Sequence, residues 1–345
     1  MRRALVAIAA LAVAAVLVAA GLAWHAVSTF RETPYGAIEE KVVVVPAGAS
    51  ARAVVRALAH AGALSDEARA WRYVRWVKRD PRPFRAGEYS FSGPLRPDEV
   101  LERVWRGEVK LHRVTVPEGL RLDEIADLVG ASGLAEAAEF RRVARDAEVA
   151  RALGLPYETL EGFLFPDTYA FARGVSARAI ADAMVARFRE EYAAAERLRK
   201  PGVVLTVGEA ATLASIVEKE TGRPDERPRI ACVFHNRLRT GMRLQTDPTV
   251  MYATLLRTGR WSRNITRADL LAPHPYNTYT TAGLPPGPIA NAGAAALRAT
   301  LAPAECPDLY FVSRNDGSHV FCPDLACHNA AVKKFQVDFF RHAQR

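Results

Sequence analysis

Two glutamates, Glu218 and Glu220, stand two residues apart at the end of an apolar run that begins at Thr206. Thr206 and Glu209 are spaced as a capping box, in which each side chain satisfies a backbone N–H at a helix start. The run is therefore predicted to be a helix. At about 100° per residue, Ala210, Ala211, Leu213, Ala214 and Val217 share one broad face, and Glu218 falls inside it. Glu220 is swung roughly 200° away from Glu218, among Glu209 and other polar positions. An acid on the buried side of a helix is desolvated, which disfavours its charge, raises its pKa and suits it to donate a proton near neutral pH. The rival reading makes Glu218 an acid at the rim of the core, satisfied by an arginine, because structural ion pairs also perturb pKa values.

The elements that must position this acid follow it. Pro228 suits a first helical position and Gly241 a stop, which predicts a second helix over Arg229 to Thr240. Cys232 lies on that helix among Ile230, Ala231, Val233 and Phe234 and reads as a buried free thiol. Arg243-Leu244-Gln245-Thr246-Asp247-Pro248-Thr249 is polar and turn-prone, a loop at the mouth of a helical hairpin. Such a hairpin can wall a cleft for a sugar.

The runs ASIVEKET, VFHNRL and GMRLQTDPTVMYA closely resemble the YceG-like family of endolytic murein transglycosylases. The resemblance continues through LEGFLFPDTYAF (160–171), HPYNTYTTAGLPPGPIANAG (274–293) and LYFVSRNDGSHVF (309–321), and covers nearly all of the chain after its first forty residues. It implies that Glu218 matches the family's catalytic glutamate. It also implies peptidoglycan strands as substrate, cut within nascent strands, with peptidoglycan synthases as candidate partners. Ordinary glycosidases use two carboxylates. A lytic transglycosylase manages with one, which protonates the bridge oxygen and then helps the muramyl 6-hydroxyl attack its own anomeric carbon. Gln245, Asp247, Tyr276 and Asn277 are candidates for holding the substrate. Two rivals remain: a lysozyme-type hydrolase with Asp247 or Glu161 as second carboxylate, and a non-catalytic wall-binding scaffold.

A formal net charge of +9 suits an anionic partner, whether a membrane surface, a wall polymer or nucleic acid. No basic block interleaves with aromatics, so nucleic acid is disfavoured. Cys306, Cys322 and Cys327 could supply one disulfide in an exported domain. His319, Cys322, Cys327 and His328 match no common zinc spacing, and the resemblance implies no metal or cofactor.

Arg2 and Arg3 precede Ala4 to Trp24, an uncharged apolar run about 30 Å long as a helix. This predicts a single-pass anchor in the cytoplasmic membrane, residues 4–24, with a cytoplasmic tail at 1–3 and the remainder outside. A cleaved signal peptide ending at Gly21-Leu22-Ala23 is the rival reading. Residues 25–40 read as a linker. From Lys41 a strand, a Pro-Gly turn and a helix (to Gly62) recur from Arg113 to Gly130, with Val54 and Ile125 in equivalent places. A helix around Glu67 to Val77, a strand at Glu88 to Ser92 and a helix near Pro97 lie between the two copies. Together with helices from Leu134 to Leu153 they predict a small α+β module over 41–155, similar to the peptidoglycan-binding LysM fold. The bland alternative is a spacer.

A mixed α/β catalytic domain is predicted over 156–345, so the class is α+β. In it, Glu161 and Asp167 sit in an aromatic stretch that could line a cleft, and Ser176 to Glu196 is an amphipathic helix. The irregular segment from His274 to Gly293 is long enough to be functional and offers Tyr276, Asn277 and Thr278 as ligand contacts. Asn315-Asp316-Gly317 marks a hairpin between Leu309–Ser313 and His319–Cys322, and a last helix is expected over Asn329 to Arg341.

Overall fold

The first helix, α1, runs from Arg2 to Glu32 without a break. In this computed structural model, which describes residues 2–262, 264–339 and 341, its apolar side chains are bare: Leu5, Val6, Ile8, Leu11 and Leu17 are all exposed. A helix this long and apolar meets the dimensions of a bilayer span. The structure extends it beyond the expected anchor through residues 25–32 of the predicted linker. The reason is packing, since Phe30 is buried and its ring lies 5.7 Å from that of Tyr73.

The chain divides into two compact units, Met1–His112 and Arg113–Arg345. After α1, the first unit contains β1 (Lys41–Val45), α2 (Ala51–His60) and α3 (Glu67–Arg72), which continues as a π-wound turn over Tyr73–Lys78. Then come β2 (Gly87–Phe91) and α4 (Pro97–Arg106). β1 and β2 pair antiparallel, from Lys41 opposite Phe91 to Val45 opposite Gly87. Alternation sends Val43, Val45, Tyr89 and Phe91 to one face, where Val54, Val55 and Leu58 of α2 and Val100, Leu101 and Val104 of α4 cover them.

The second copy of the strand–turn–helix repeat does not join this core. Its strand β3 (Leu111–Thr115) pairs with β4 (Thr168–Ala172), not with β1 or β2. Its helix α5 (Leu122–Ala131) packs with α6 (Ala137–Ala144), and α7 (Ala147–Ala152) follows. The unit boundary therefore falls at 112, well before 155. Ile125, Phe140, Phe163 and Phe188 belong to one core that also holds α8 (Ala177–Glu196).

That larger core is built around α9 (Val207–Glu220), which touches α10 (Arg227–Arg239), α11 (Asp247–Thr258) and α13 (Ala294–Leu301). A short α12 (Arg267–Leu271) precedes the irregular loop. The chain ends with the antiparallel hairpin β5 (Tyr310–Ser313) and β6 (His319–Cys322), then α14 (Leu325–Val332) and a π-wound segment, Lys333–Asp338. The expected last helix thus starts earlier and changes pitch, and residues 342–345 lie outside the described residues. The mixed helix and strand content matches the α+β expectation.

All four cysteines are paired. Cys232 joins Cys306 with Cα atoms 6.3 Å apart, and Cys322 joins Cys327 at 5.5 Å. This corrects the reading of Cys232 as a free thiol: its helix faces the segment after α13, which the sequence could not bring alongside. Disulfides persist in oxidising compartments outside the cytoplasm.

Candidate functional site

The capping box forms as expected: Glu209 N donates to Thr206 Oγ1 at 3.2 Å, and Thr206 N donates to Glu209 Oε2 at 2.8 Å. From that start α9 delivers its last two glutamates to different surroundings. Glu218 is locked into protein. Arg227 Nη2 donates to its Oε1 at 2.6 Å and Gly293 N donates to its Oε2 at 3.1 Å. The paired side chains are 6% and 7% exposed, so this is a buried ion pair. Glu118, on the turn before α5, stands 3.5 Å from the same guanidinium. That turn is fixed by Gly119 N donating to Asn291 O at 2.8 Å and by Lys219 Nζ donating to Gly119 O at 3.1 Å. A Cβ at Gly293 would come within 1.8 Å of Glu118 Oε1, so a larger residue there would push that half-exposed side chain aside. Burial raises the Glu218 carboxyl above its ordinary range, while the Gly293 amide and Arg227 pull it back. Both oxygens of Glu218 thus accept hydrogen bonds from protein donors.

Glu220, which helix periodicity placed among polar positions, is withdrawn from water. Its carboxyl is desolvated and accepts a hydrogen bond from Thr246 Oγ1. No cation pairs with it among the described residues. It opens on a cavity of about 380 Å³ lined also by Arg237, Gln245, Asp247, Tyr279 and Tyr310. Desolvation is the largest influence and pushes the Glu220 carboxyl up to about 7; Asp247 adds to this, and Thr246 and Arg237 oppose it. Arg237 donates from Nε to Leu309 O at 2.7 Å, so its guanidinium is held by backbone carbonyls and does not clamp the acid. The periodicity argument failed because α9 packs on several sides at this end, against α10, α11 and α13, so that Lys219 is exposed while Glu220 beside it is not.

The loop at the mouth comes close to the expected form, with Asp247-Pro248-Thr249 serving as the first turn of α11. Gln245 adopts a left-handed φ of 47°, uncommon for a side-chain-bearing residue and typical of functional sites. It is held there by Gln245 N donating to Thr278 O at 3.2 Å and Thr246 N donating to Thr278 Oγ1 at 3.1 Å. Gln245 and Asp247 are exposed, and Asp247 Oδ1 accepts from Tyr279 Oη at 2.7 Å. On the opposite wall, burial depresses His328, whose buried Nδ1 has no partner. Its ring lies 4.9 Å from that of Tyr310.

Other sequence candidates have different duties. Asn277 is buried and spent inside its loop: Nδ2 donates to Asp269 O, Leu270 O and Ala272 O at 2.8 to 3.1 Å, and Oδ1 accepts from Tyr279 N. It anchors irregular backbone from a buried position. Thr278 is likewise buried, and the ring of the half-buried Tyr276 lies 5.0 Å from that of Tyr252, tilted by 52°. Glu161 lies in the core, where it accepts from Leu122 N at 3.0 Å and from Asn291 Nδ2 at 2.9 Å, and burial pushes it up to about 7. Asp167 pairs with Arg187 at 2.7 Å. Neither lines the Glu220 cavity. Cys322 and Cys327 are spent on their disulfide and His319 pairs with Glu226 at 2.7 Å, which leaves no metal-ligand set there. Sequence reasoning missed Thr246, Arg237, Tyr279 and Arg227; Thr246 and Tyr279 carried a signal, through their places in LQTDPT and HPYNTYTT.

The sequence profile of the YceG-like family matches residues 43–334. The chain belongs to this family. It is 31% identical to an endolytic murein transglycosylase of Bacillus subtilis, over 84% of this chain and 83% of that protein. An endolytic murein transglycosylase of Streptococcus pneumoniae is 30% identical over 66% of this chain, which spans 46% of that longer protein. A crystal structure of a yceG-like protein from Listeria monocytogenes shares the fold with a TM-score of 0.54 and 31% identity, over 85% of this chain and 99% of that one.

Proposed function

We propose that this member of the YceG-like family is a membrane-anchored lytic transglycosylase that cuts peptidoglycan glycan strands internally and leaves 1,6-anhydro-muramyl ends. The observation that carries the reading is the desolvated Glu220 carboxyl, with no cation paired to it among the described residues, at a cavity rimmed by Gln245, Asp247 and aromatic rings. A general acid must hold a proton near neutral pH and have a free edge toward its substrate. Glu220 meets both conditions, whereas Glu218 has both oxygens bound by protein donors.

In the proposed reaction Glu220 gives its proton to the bridging oxygen of the β-1,4 bond, and the bond to the muramyl anomeric carbon breaks. The resulting carboxylate takes the proton of the same sugar's 6-hydroxyl, whose oxygen closes on that carbon. The acid is restored and no water is consumed. Because the nucleophile is tethered to the substrate, proximity lowers the barrier, by roughly 7 kcal/mol or more at best. Gln245 and Asp247 hold the sugar, and the Glu218–Arg227 pair fixes the end of α9. The family resemblance at ASIVEKET favours Glu218 as the acid instead, and its raised carboxyl supports that second reading.

A third reading rests on Asp247, a second carboxylate at the same cavity, which suits a hydrolase of two acids. Mass spectrometry of products from purified peptidoglycan in oxygen-18 water separates it from the others. Anhydro ends without heavy oxygen support the transglycosylase, and labelled reducing ends replace it with hydrolysis. The remaining parts follow the same proposal. α1 is the anchor in the cytoplasmic membrane, the paired cysteines support an exported catalytic unit, and the strand–helix–helix–strand order of the first unit suits a LysM-like glycan binder beside peptidoglycan synthases.

A further inference from the structure

α1 is uncharged and apolar from Ala4 to Trp24, about 30 Å of helix, so a bilayer core spanned by it ends beside Trp24. At that level the first unit has a cavity of about 470 Å³. One wall is the last part of α1, including Ala23, Val27 and Phe30; the other is the helix from α3 into its π-wound turn, including Arg69, Arg72 and Trp76. The Phe30–Tyr73 ring contact closes its floor. Trp24, at the end of the span, is 74% exposed, and beyond the span Trp76 and Val77 are 58% and 48% exposed, bare aromatic and aliphatic surface beside the boundary.

Arg69 and Arg72 line the cavity, while Asp98 accepts from Tyr73 Oη at 2.6 Å at its floor. Arg72 is held only by its Nε, donating to Ala68 O at 3.2 Å, and no carboxylate pairs with it or with Arg75 among the described residues. The Arg75 guanidinium lies 5.0 Å from the centre of the Trp76 ring. Asp66 approaches Arg69 at 3.9 Å, and Glu67 is turned toward Arg56 at 3.2 Å. Tryptophan rings settle at headgroup level, and arginines at an anionic surface add attraction.

We propose that this cavity is a phospholipid headgroup site, in which Arg69 and Arg72 bind the phosphate of an anionic lipid while Trp76 and Val77 dip into the boundary above the acyl chains. It rests on the reading of α1 as the anchor and goes beyond it. A spanning helix alone leaves the following unit free to tilt; a second contact at the headgroups fixes its attitude to the surface.

The full chain is reconstituted into nanodiscs of equal phosphatidylglycerol and phosphatidylcholine. A chain that stays soluble refutes the anchor, whereas the following measurements on embedded protein test this site. Native mass spectrometry is expected to find phosphatidylglycerol retained over phosphatidylcholine. Each arginine near an anionic surface favours it about five-fold, so Arg69→Gln with Arg72→Gln is expected to cut that preference ~25-fold. Equal retention of both lipids by the unsubstituted chain, or an unchanged preference in the folded double variant, overturns the proposal. Independently, the emission lost in the conservative Trp76→Phe variant is assigned to Trp76, and lipids brominated near the top of their chains should quench it. A Trp76 signal that no bromolipid quenches refutes the insertion.

Discussion

Replacing Glu220 with glutamine keeps the length of the side chain and an oxygen to accept from Thr246, but removes the one proton the site can transfer. General acid catalysis by a positioned group is worth ~10²–10⁴ in rate, about 3 to 5.5 kcal/mol, and here the same group also serves as base in the closing step. Cleavage of purified peptidoglycan, followed by release of anhydro-muropeptides, is therefore expected to fall to background in Glu220→Gln. Stability at pH 8 should hold or rise, since the substitution removes a desolvated carboxyl at a pH where it is ionised.

Glu218→Gln should behave in the opposite way. It strips the charge partner from Arg227, whose side chain is 7% exposed, leaving only Glu118 at 3.5 Å. Breaking a buried pair costs about 3–5 kcal/mol, which for a unit of this size lowers the melting temperature by roughly 6–20 °C. Activity measured well below that temperature should survive in substantial part. A stable Glu218→Gln protein with no cleavage, beside an active Glu220→Gln protein, would refute the assignment from geometry and restore the one implied by the family motif.

Asp247→Asn is expected to slow cleavage about 10 to 100-fold, as for one lost substrate hydrogen bond, and not to background; a background rate in folded protein would mark a two-carboxylate site. The rate should fall as pH rises through about 7, the range in which Glu220 loses its proton, and a kcat/KM profile flat from pH 5 to 9 would contradict this. Stability should also depend on pH. Glu161 and Glu220 both titrate at about 7 when folded against an ordinary 4.5, so the folded state holds their protons more tightly. The stability this adds is complete below 4.5 and lost by about 7, on the order of 3 kcal/mol for each, measurable by urea titration across that range. Replacing Cys232 and Cys306 by alanine opens a loop of sequence separation 74 and should cost about 4 kcal/mol by chain entropy, read as a lower urea midpoint.

Local signals were legible wherever short-range chemistry decides the conformation. Ser176 caps α8 with its Oγ accepting from Ala179 N at 3.1 Å, and Thr206 and Glu209 form the box that the spacing required. Asn315 and Gly317 take positive φ between β5 and β6, as a tight hairpin demands. Partnerships across long separations were not legible. Cys232 finds Cys306, and the repeat at 113–130 leaves its twin because β3 meets β4 rather than β1. Asn277 looked like a ligand contact because it is polar in an irregular loop, but that irregularity is why its amide is consumed by three backbone carbonyls.

The misplacement of Glu220 has a more general cause. Helical periodicity separates a wet face from a dry one, and it carries information only where one side of the helix meets water. α9 is surrounded: Ala210 through Val217 are all buried, including Thr212 and Ser215, so polar residues on it do not mark a solvent side. On such a helix both glutamates are desolvated, and burial raises both carboxyls. What distinguishes them is occupancy. Arg227 and the Gly293 amide use both oxygens of Glu218, whereas Thr246 engages one oxygen of Glu220, which lines the cavity. Arg227 enters α10 seven residues past Glu220, and Gly293 arrives from beyond the long loop, so neither could be assigned to a glutamate from spacing. A buried acid becomes a candidate proton donor through the partners it lacks, and those are fixed only by the tertiary fold.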